Sequence, residues 1–377
     1  MDFALTEEQE MLRSSARDFL ERECPKSHVR EMAEDEKGYS PGLWRKMADL
    51  GWMGLALPER YGGSGGTFLD LTVLLQEMGR ALLPGPFFPT VVMGTTYLLH
   101  SGSETQKEQV LPAVSRGETL LTLAVSEPGV EYDPASMSVH ALPKGDGYVI
   151  SGAKLFVPYA HVADYVLCVA RTQDSAAPGE GMITFLVDAR SPGITCNPLR
   201  TLGRDHQCEV VFEDTLVPAD RVVGEPHLGW SGVERALQIA TVALCADMNG
   251  GAQRVLEMTV DYAGQRIQFG RPIGSMQALQ HHCANMAVAI EASRSLASEA
   301  AWRINQGLPC AAEVSAAKAF ASECYTEVTQ RAMMIHGGVG FMEDHDLPLY
   351  YRRAKATEVM LGDADYHREM LARDILD

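Results

Sequence analysis

The spacing of apolar positions changes twice along the chain. From Met1 to about Glu118 they recur every three or four residues. Met11, Leu12, Ala16, Phe19 and Leu20, behind Thr6, Glu7 and Glu8, predict a capped amphipathic helix. Pro41-Gly42-Leu43-Trp44 opens another, ending near Gly51. Leu71, Val73, Leu74, Leu75 and Met78 predict a helix after the loop containing Gly62, Gly63, Gly65 and Gly66. A helical run from Val91 to His100 precedes Ser103, whose spacing to Gln106 predicts the next cap. From Glu118 the pattern breaks into short β-rich runs: TLLTLAVS, YVISGAKLFV, DYVLCVART, MITFLVDA and CEVVFEDTLVP. Gly, Pro and Asp separate them, which predicts a barrel or sandwich of about 100 residues. Beyond Pro226 prolines become sparse, and long alanine-rich helices are predicted over 230–265, 275–306 and 310–336. A shorter helix over 349–361 stops at Gly362, and a tail helix covers 364–375. Four antiparallel helices joined by short turns make a bundle. The expected fold is mainly α with a central β domain: a helical domain (1–118), a small β-barrel or sandwich (119–226) and a C-terminal four-helix bundle (227–377).

Composition narrows what such a chain does. It has 377 residues, 46% hydrophobic and 22% charged, as a globular protein of more than one core does. A formal net charge of −18 argues against nucleic acid and anionic membranes, while a few local arginines still suffice for a small anionic ligand. No apolar run approaches the ~20 residues of a membrane span. The charged N-terminus lacks a signal-peptide core, so a cytoplasmic protein is expected. The eight cysteines show no CxxC and sit among apolar neighbours, which reads as buried free thiols. His281 and His282 are adjacent on a helix and point apart, so no metal site is expected. The glycines at 62–66 lack the following lysine of a phosphate loop and read as a turn.

Four stretches carry chemistry. Ala124-Val125-Ser126-Glu127-Pro128 ends the first strand in a Glu-Pro turn, with Asp133 following. Gly152-Ala153-Lys154-Leu155-Phe156-Val157-Pro158 offers an aromatic face on a strand. Arg266-Ile-Gln-Phe269-Gly270-Arg271-Pro272-Ile273, with Gln277 beyond, joins a guanidinium, an aromatic and a tight turn. A fixed guanidinium pairs bidentately with a pyrophosphate. Ile335-His336-Gly337-Gly338-Val339-Gly340-Phe341 ends a long helix in glycines that stop it and let a ligand approach the backbone. Taken singly, each also reads as a strand end, a solvated arginine or a helix cap.

Taken together, these stretches and the domain order resemble the acyl-CoA dehydrogenases, FAD-dependent flavoproteins, over essentially the whole chain. The four stretches are similar to the family's [AT]-x-[ST]-E-P-x-x-G-S-D, G-x-K-x-[WY]-I-[TS], R-x-x-F-G-x-x-[IL] and x-H-G-G-x-G-[FY] segments. The resemblance implies FAD held by Leu123, Val125 and Ser126, by Phe156 and Val157, and by Met334, Gly337 and Gly338. It places Arg266, Phe269 and Gln277 on a cofactor shared across a subunit interface, and so implies a dimer or dimer of dimers. Three departures stand out: Glu131 and Tyr132 replace a Gly-Ser pair, and Pro158 replaces a hydroxyl residue.

The implied reaction is α,β-dehydrogenation of an acyl-CoA in acyl-CoA catabolism, with electrons passed to electron-transferring flavoprotein. A carboxylate base removes the α-proton. Here the sequence diverges. The family's usual glutamate position is Leu361, the alternative one on the first bundle helix is Ala240, and no Asp or Glu occurs from Ala81 to Ser103. Asp363 and Glu358 are the carboxylates nearest to the first position; Asp363 is the candidate base, and Glu358 reads as an ion-pair partner of Lys355 or Arg353. Two rival readings stay open. One is a non-catalytic FAD-binding subunit of a heteromeric acyl-CoA dehydrogenase; the other is a related flavin oxidase or monooxygenase.

Overall fold

Capping chemistry sets the helix starts. In the computed structural model, which describes residues 4–129, 132, 134–172, 180–227 and 229–376, Thr6 and Gln9 form a reciprocal capping box at α1 (Glu7–Glu23). α2 (Lys26–Glu34) follows, and Ser40 caps α3 (Pro41–Asp49). Thr67 with Asp70, and Ser103 with Gln106, repeat the box at α4 (Phe68–Ala81) and at a later helix. Between these two lies a π-helical turn, Phe88–Gly94, continued as α5 (Thr95–Ser101) and then the capped α6 (Glu104–Ser115). The π turn extends the expected run from Val91 back to Phe88. Thr90 ties it to the first strand, its hydroxyl donating to Leu121 O at 3.0 Å and accepting from Leu121 N at 3.1 Å.

The strands are β1 (Leu121–Ala124), β2 (His140–Lys144), β3 (Gly147–Pro158), β4 (Tyr165–Arg171), β5 (Met182–Asp188), β6 (Ile194–Leu199), β7 (Gln207–Pro218) and β8 (Val222–His227). They form one mostly antiparallel sheet in the order β6-β7-β3-β2-β4-β5-β8, with β1 added parallel to β4. The five expected runs correspond to β1, β3, β4, β5 and β7. β2, β6 and β8 went unread because each is short and carries a proline, which weakens a strand pattern; β6 and β8 are the sheet edges, while β2 lies between β3 and β4. Inward positions such as Val139, Ile150, Cys168, Phe185, Val210 and Phe212 make one apolar core.

The C-terminal helices are α7 (Gly229–Gln265), α8 (Gln277–Asn305), α9 (Ala311–His336), α10 (Leu347–Val359) and α11 (Ala364–Leu376). A two-residue hairpin, β9 (Ile267–Gln268) with β10 (Arg271–Pro272), joins α7 to α8. α10 starts at Leu347 rather than Leu349, because Pro348 suits a first turn, and it ends at Val359 rather than Leu361.

By packing, the chain groups into two compact units. One comprises Met1–Glu31, Thr67–Leu83 and Thr241–Asp377; the other comprises Met32–Gly66 and Pro84–Ala240. In the first, α4 crosses α7 so closely that glycine is required on both sides. A Cβ on Gly79 would lie 1.9 Å from Asp247 O, and one on Gly250 would lie 1.8 Å from Gln76 O. Arg17 clamps the buried Glu77 of α4 bidentately at 2.7 and 2.9 Å. All eight cysteines are free; six are buried, whereas Cys196 and Cys283 are partly exposed. No helix among the described residues is long and apolar enough to cross a membrane.

Candidate functional site

In the sheet-bearing unit, the turn after β1 is held by a buried ion pair. Lys154 Nζ donates to Glu127 Oε1 at 2.7 Å with both side chains fully inaccessible, and to Val125 O at 3.0 Å. Glu127 also accepts from the Ser138 hydroxyl at 2.7 Å and from Val139 N at 3.2 Å. Burial pushes the Glu127 carboxyl up, but the Lys154 ammonium and the Ser138 donors prevail and hold it below the usual range. Glu127 and Lys154 are therefore scaffold, and Ser126 rides on it, its carbonyl accepting from Leu155 N at 2.9 Å. The side chains of Leu123 and Val125 are buried, so only their backbone is available to a ligand. Asp133 and Glu131 lie outside the described residues.

Phe156 marks the other edge of this turn. It sits in a β-bulge between the Lys154–Val210 and Val157–Cys208 pairings, with φ of 53°, and is 61% exposed. A bulky residue at positive φ is uncommon, and it clusters where a side chain must be aimed. Val157 is buried. Pro158 brings no hydroxyl, and its carbonyl is taken by Thr122 Oγ1 at 2.7 Å.

The helical unit carries the remaining candidates. Phe269 and Gly270 have φ of 54° and 75°, the two positive values of a type I′ turn, at the tip of the β9–β10 hairpin. The turn holds Phe269 89% exposed. Arg266 stands at the hairpin base, exposed, its backbone tied to Tyr262 and Ile273, and it has no acidic partner among the described residues. Gln277 opens α8, also exposed. An aromatic and a guanidinium left this bare imply a partner surface.

At the end of α9, Gly337 takes φ 62°, ψ −141°, a conformation essentially reserved for glycine. A Cβ on Gly338 would meet nothing within 4 Å, and Met334 is 64% exposed. His336 is buried instead: it stacks on Tyr262 at 4.3 Å, and burial lowers its pKa. It fixes the turn.

The loop after α10 holds the position where a base is expected. Leu361 is at φ 60° and buried, and its carbonyl accepts from His367 Nε2 at 2.8 Å. The fully buried Lys318 donates to Glu358 O at 3.0 Å, to Gly362 O at 2.7 Å and to Ser322 Oγ at 2.9 Å. Desolvation lowers its pKa to about 8. Asp363 is exposed and caps α11, with Oδ1 accepting from Tyr366 N at 2.8 Å. Glu358 pairs with Lys355, as its spacing predicts. Ala240 is buried. Sequence reasoning missed Lys318 and His367; a lysine in the apolar run AAKAFA was the available signal.

Models of the acyl-CoA dehydrogenase N-terminal, middle and C-terminal domains match residues 6–118, 122–215 and 227–376. The chain belongs to the acyl-CoA dehydrogenase family. It is 32% identical to a probable acyl-CoA dehydrogenase, YngJ, of Bacillus subtilis, over all of both chains. A chain from a structural study of the electron transferring flavoprotein of Acidaminococcus fermentans superposes with TM-score 0.92 at 30% identity, covering all of both chains. A chain of the ChsE4–ChsE5 complex from Mycobacterium tuberculosis gives 0.91 at 30% identity, covering 100% of this chain and 99% of that one.

Proposed function

We propose that the protein carries out FAD-dependent α,β-dehydrogenation of an acyl-CoA thioester and passes the electrons to electron-transferring flavoprotein. The observation that carries the flavin assignment is the pair of bare, conformationally forced aromatics, Phe156 and Phe269, with Arg266 unpaired beside the second. The residues fit FAD. Arg266 would pair with its pyrophosphate, with Phe269 and Gln277 beside it, across the interface with a second copy of the chain, and Phe156 would face the ring. The backbone at Leu123, Val125 and Ser126, the Val157 strand, and Met334 with Gly337 and Gly338 complete the contacts. FAD, when bound, supplies the acceptor for the β-hydrogen. The chain's own part is to hold the two turns rigid through Glu127–Lys154 and Lys318, and to exclude water with apolar side chains.

For a chain acting alone, Asp363 is the proposed base. A second reading is favoured by the buried Leu361 and by the capping role of Asp363: this chain pairs with a related chain that supplies the glutamate, a two-component arrangement like that of ChsE4 with ChsE5. The test is anaerobic mixing of purified protein with a panel of acyl-CoAs while flavin absorbance is followed. Bleaching by the single chain supports Asp363; bleaching only with a related chain present supports the pair. A colourless protein, or an Arg266→Ala variant with full flavin occupancy, overturns the cofactor assignment.

A further inference from the structure

β6 and β7 run antiparallel with Cys196 opposite Val210 and Pro198 opposite Cys208. Cys196 and Cys208 are thus diagonal neighbours on one face of the sheet. Cys196 packs on the apolar core to which Cys208 belongs. On its other side Cys208 Sγ lies 3.5 Å from His161 Nδ1. The imidazole is one of three mutually packed rings, with Tyr159 and His206 themselves 5.5 Å apart. Tyr159 lies 6.0 Å from it and His206 5.5 Å, and His206 Nε2 is anchored on Met32 O at 3.0 Å.

The other buried thiols lack this setting. Burial, the largest cause, pushes Cys24 up to about 11, and Cys168 and Cys324 to about 12. Cys208 moves the opposite way, while Cys196 is pushed up: the neighbouring thiol and then His161 outweigh burial and favour the Cys208 thiolate. His161 loses to burial but gains more from the facing sulfur, and its pKa rises. An inert core cysteine needs neither an imidazole nor a second thiol. Any access is through the edge strand. Cys208 is buried, but Cys196 is partly exposed, on a strand that forms the edge of the sheet.

We infer that Cys196 and Cys208 are a reversible dithiol–disulfide pair, oxidised by hydrogen peroxide with His161 as proton partner. The Cys208 sulfur attacks the peroxide O–O bond; a S–O bond forms, and the departing hydroxide takes the His161 proton to become water. The Cys196 sulfur then attacks the sulfenic sulfur. The S–S bond forms, the S–O bond breaks, and a second water leaves with the Cys196 proton. Two electrons pass from the thiols to the peroxide, and a thiol reductant returns them. Diagonal partners are typically ~7–8 Å apart, beyond the usual disulfide span, so closure must slide the edge strand β6 along β7 and leaves a strained bond that thiols readily reduce.

Cys208 pairs across the sheet with Val157, next to the Phe156 bulge. Closure therefore acts on the strand behind that aromatic, a consequence that rests on the flavin reading. The thiol chemistry itself does not.

The test treats the purified full-length protein with stoichiometric hydrogen peroxide, alkylates, and maps peptides without reduction. A linked Cys196–Cys208 peptide, lighter by two hydrogens and separated again by dithiothreitol, is expected, with the other six cysteines alkylated after unfolding. Cys196→Ser should leave a sulfenic acid on Cys208 that dimedone captures. His161→Asn should slow closure about tenfold. The inference is overturned if Cys196 oxidises alone without a cross-link, if both stay thiols while other cysteines react, or if His161→Asn closes at the unmodified rate. Flavin absorbance read in parallel reports on the cofactor assignment alone.

Discussion

Two turns of the molecule are anchored by buried lysines, and they differ in what they present. Behind β1, Lys154 binds a carboxylate, Glu127, and the turn ends in polar backbone and the Ser126 side chain. After α10, Lys318 binds only carbonyls and a hydroxyl, and the turn presents Leu361. Both lysines are fully buried, and both turns are as firmly held. The second turn has kept its scaffold and its positive φ while carrying an apolar side chain where the family's glutamate is expected. A disused loop would retain neither a buried lysine nor a strained leucine, since each costs free energy without a return. On the proposed function, position 361 would be a wall for an acyl group, with proton removal falling to another residue.

The sharpest way to test that comparison is to restore the missing group. Leu361→Glu places a carboxylate on an already anchored turn. It should raise acyl-CoA-dependent flavin bleaching by the ~10²–10⁴-fold typical of a general base, measured anaerobically against the unmodified chain. No gain with substrate bound would show that the loop is merely a relic.

The first turn is best broken at its ion pair. Lys154→Met leaves Glu127 buried without its partner, at a cost of about 3–5 kcal/mol. Thermal unfolding should report that loss, and flavin content should fall with it. Glu127→Gln with Lys154→Met should recover part of the stability, because the orphaned charge is gone. If the single variant unfolds like the unmodified protein, the turn is not held as described.

The second turn should be pH-sensitive just below neutrality, through His367, whereas Glu127 of the first turn loses its contribution only at more acid pH. Burial lowers its pKa from 6.5 to about 4 in the folded chain. As pH falls through 6.5 the unfolded chain takes the proton first, so stability is complete above that value and drains away toward pH 4. At about 1.36 kcal/mol per unit the loss approaches ~3 kcal/mol. Urea midpoints between pH 7 and 4 measure it, and His367→Asn should flatten the slope in that window.

The unequal legibility of the two turns in sequence has a physical cause. Glu127-Pro128 and Gly152-x-Lys154 are local patterns, and their partners lie one strand away. The helical bundle and the central strands were equally plain, because each carries its own period. Lys318 and His367 act on residues some forty and six positions away through backbone carbonyls, and no residue type announces an acceptor that every residue possesses. Cys208 likewise read as a buried core thiol until β6, a strand hidden by its proline and its exposure, brought Cys196 alongside. Phe156 and Phe269 were legible as aromatics, but their positive φ was not, since no glycine marks those positions.

The smallest effect separates the two readings of Asp363. As a helix cap, its carboxylate oxygen accepts from Tyr366 N, and asparagine caps as well as aspartate. Asp363→Asn should then shift stability by only a few tenths of a kcal/mol, and Asp363→Ala by about 1 kcal/mol. Neither should alter bleaching by an active oligomer. As a base, the same carboxylate is needed for its charge, which asparagine lacks. Asp363→Asn would then lower bleaching at least ~10²-fold while stability stayed put. The two properties therefore respond to different substitutions. Stability measured by thermal unfolding and bleaching measured anaerobically, on the asparagine and alanine variants together, assign the side chain. A loss of bleaching in both variants, with stability lost only in alanine, would make Asp363 cap and base at once and end the case for a glutamate brought by a second chain.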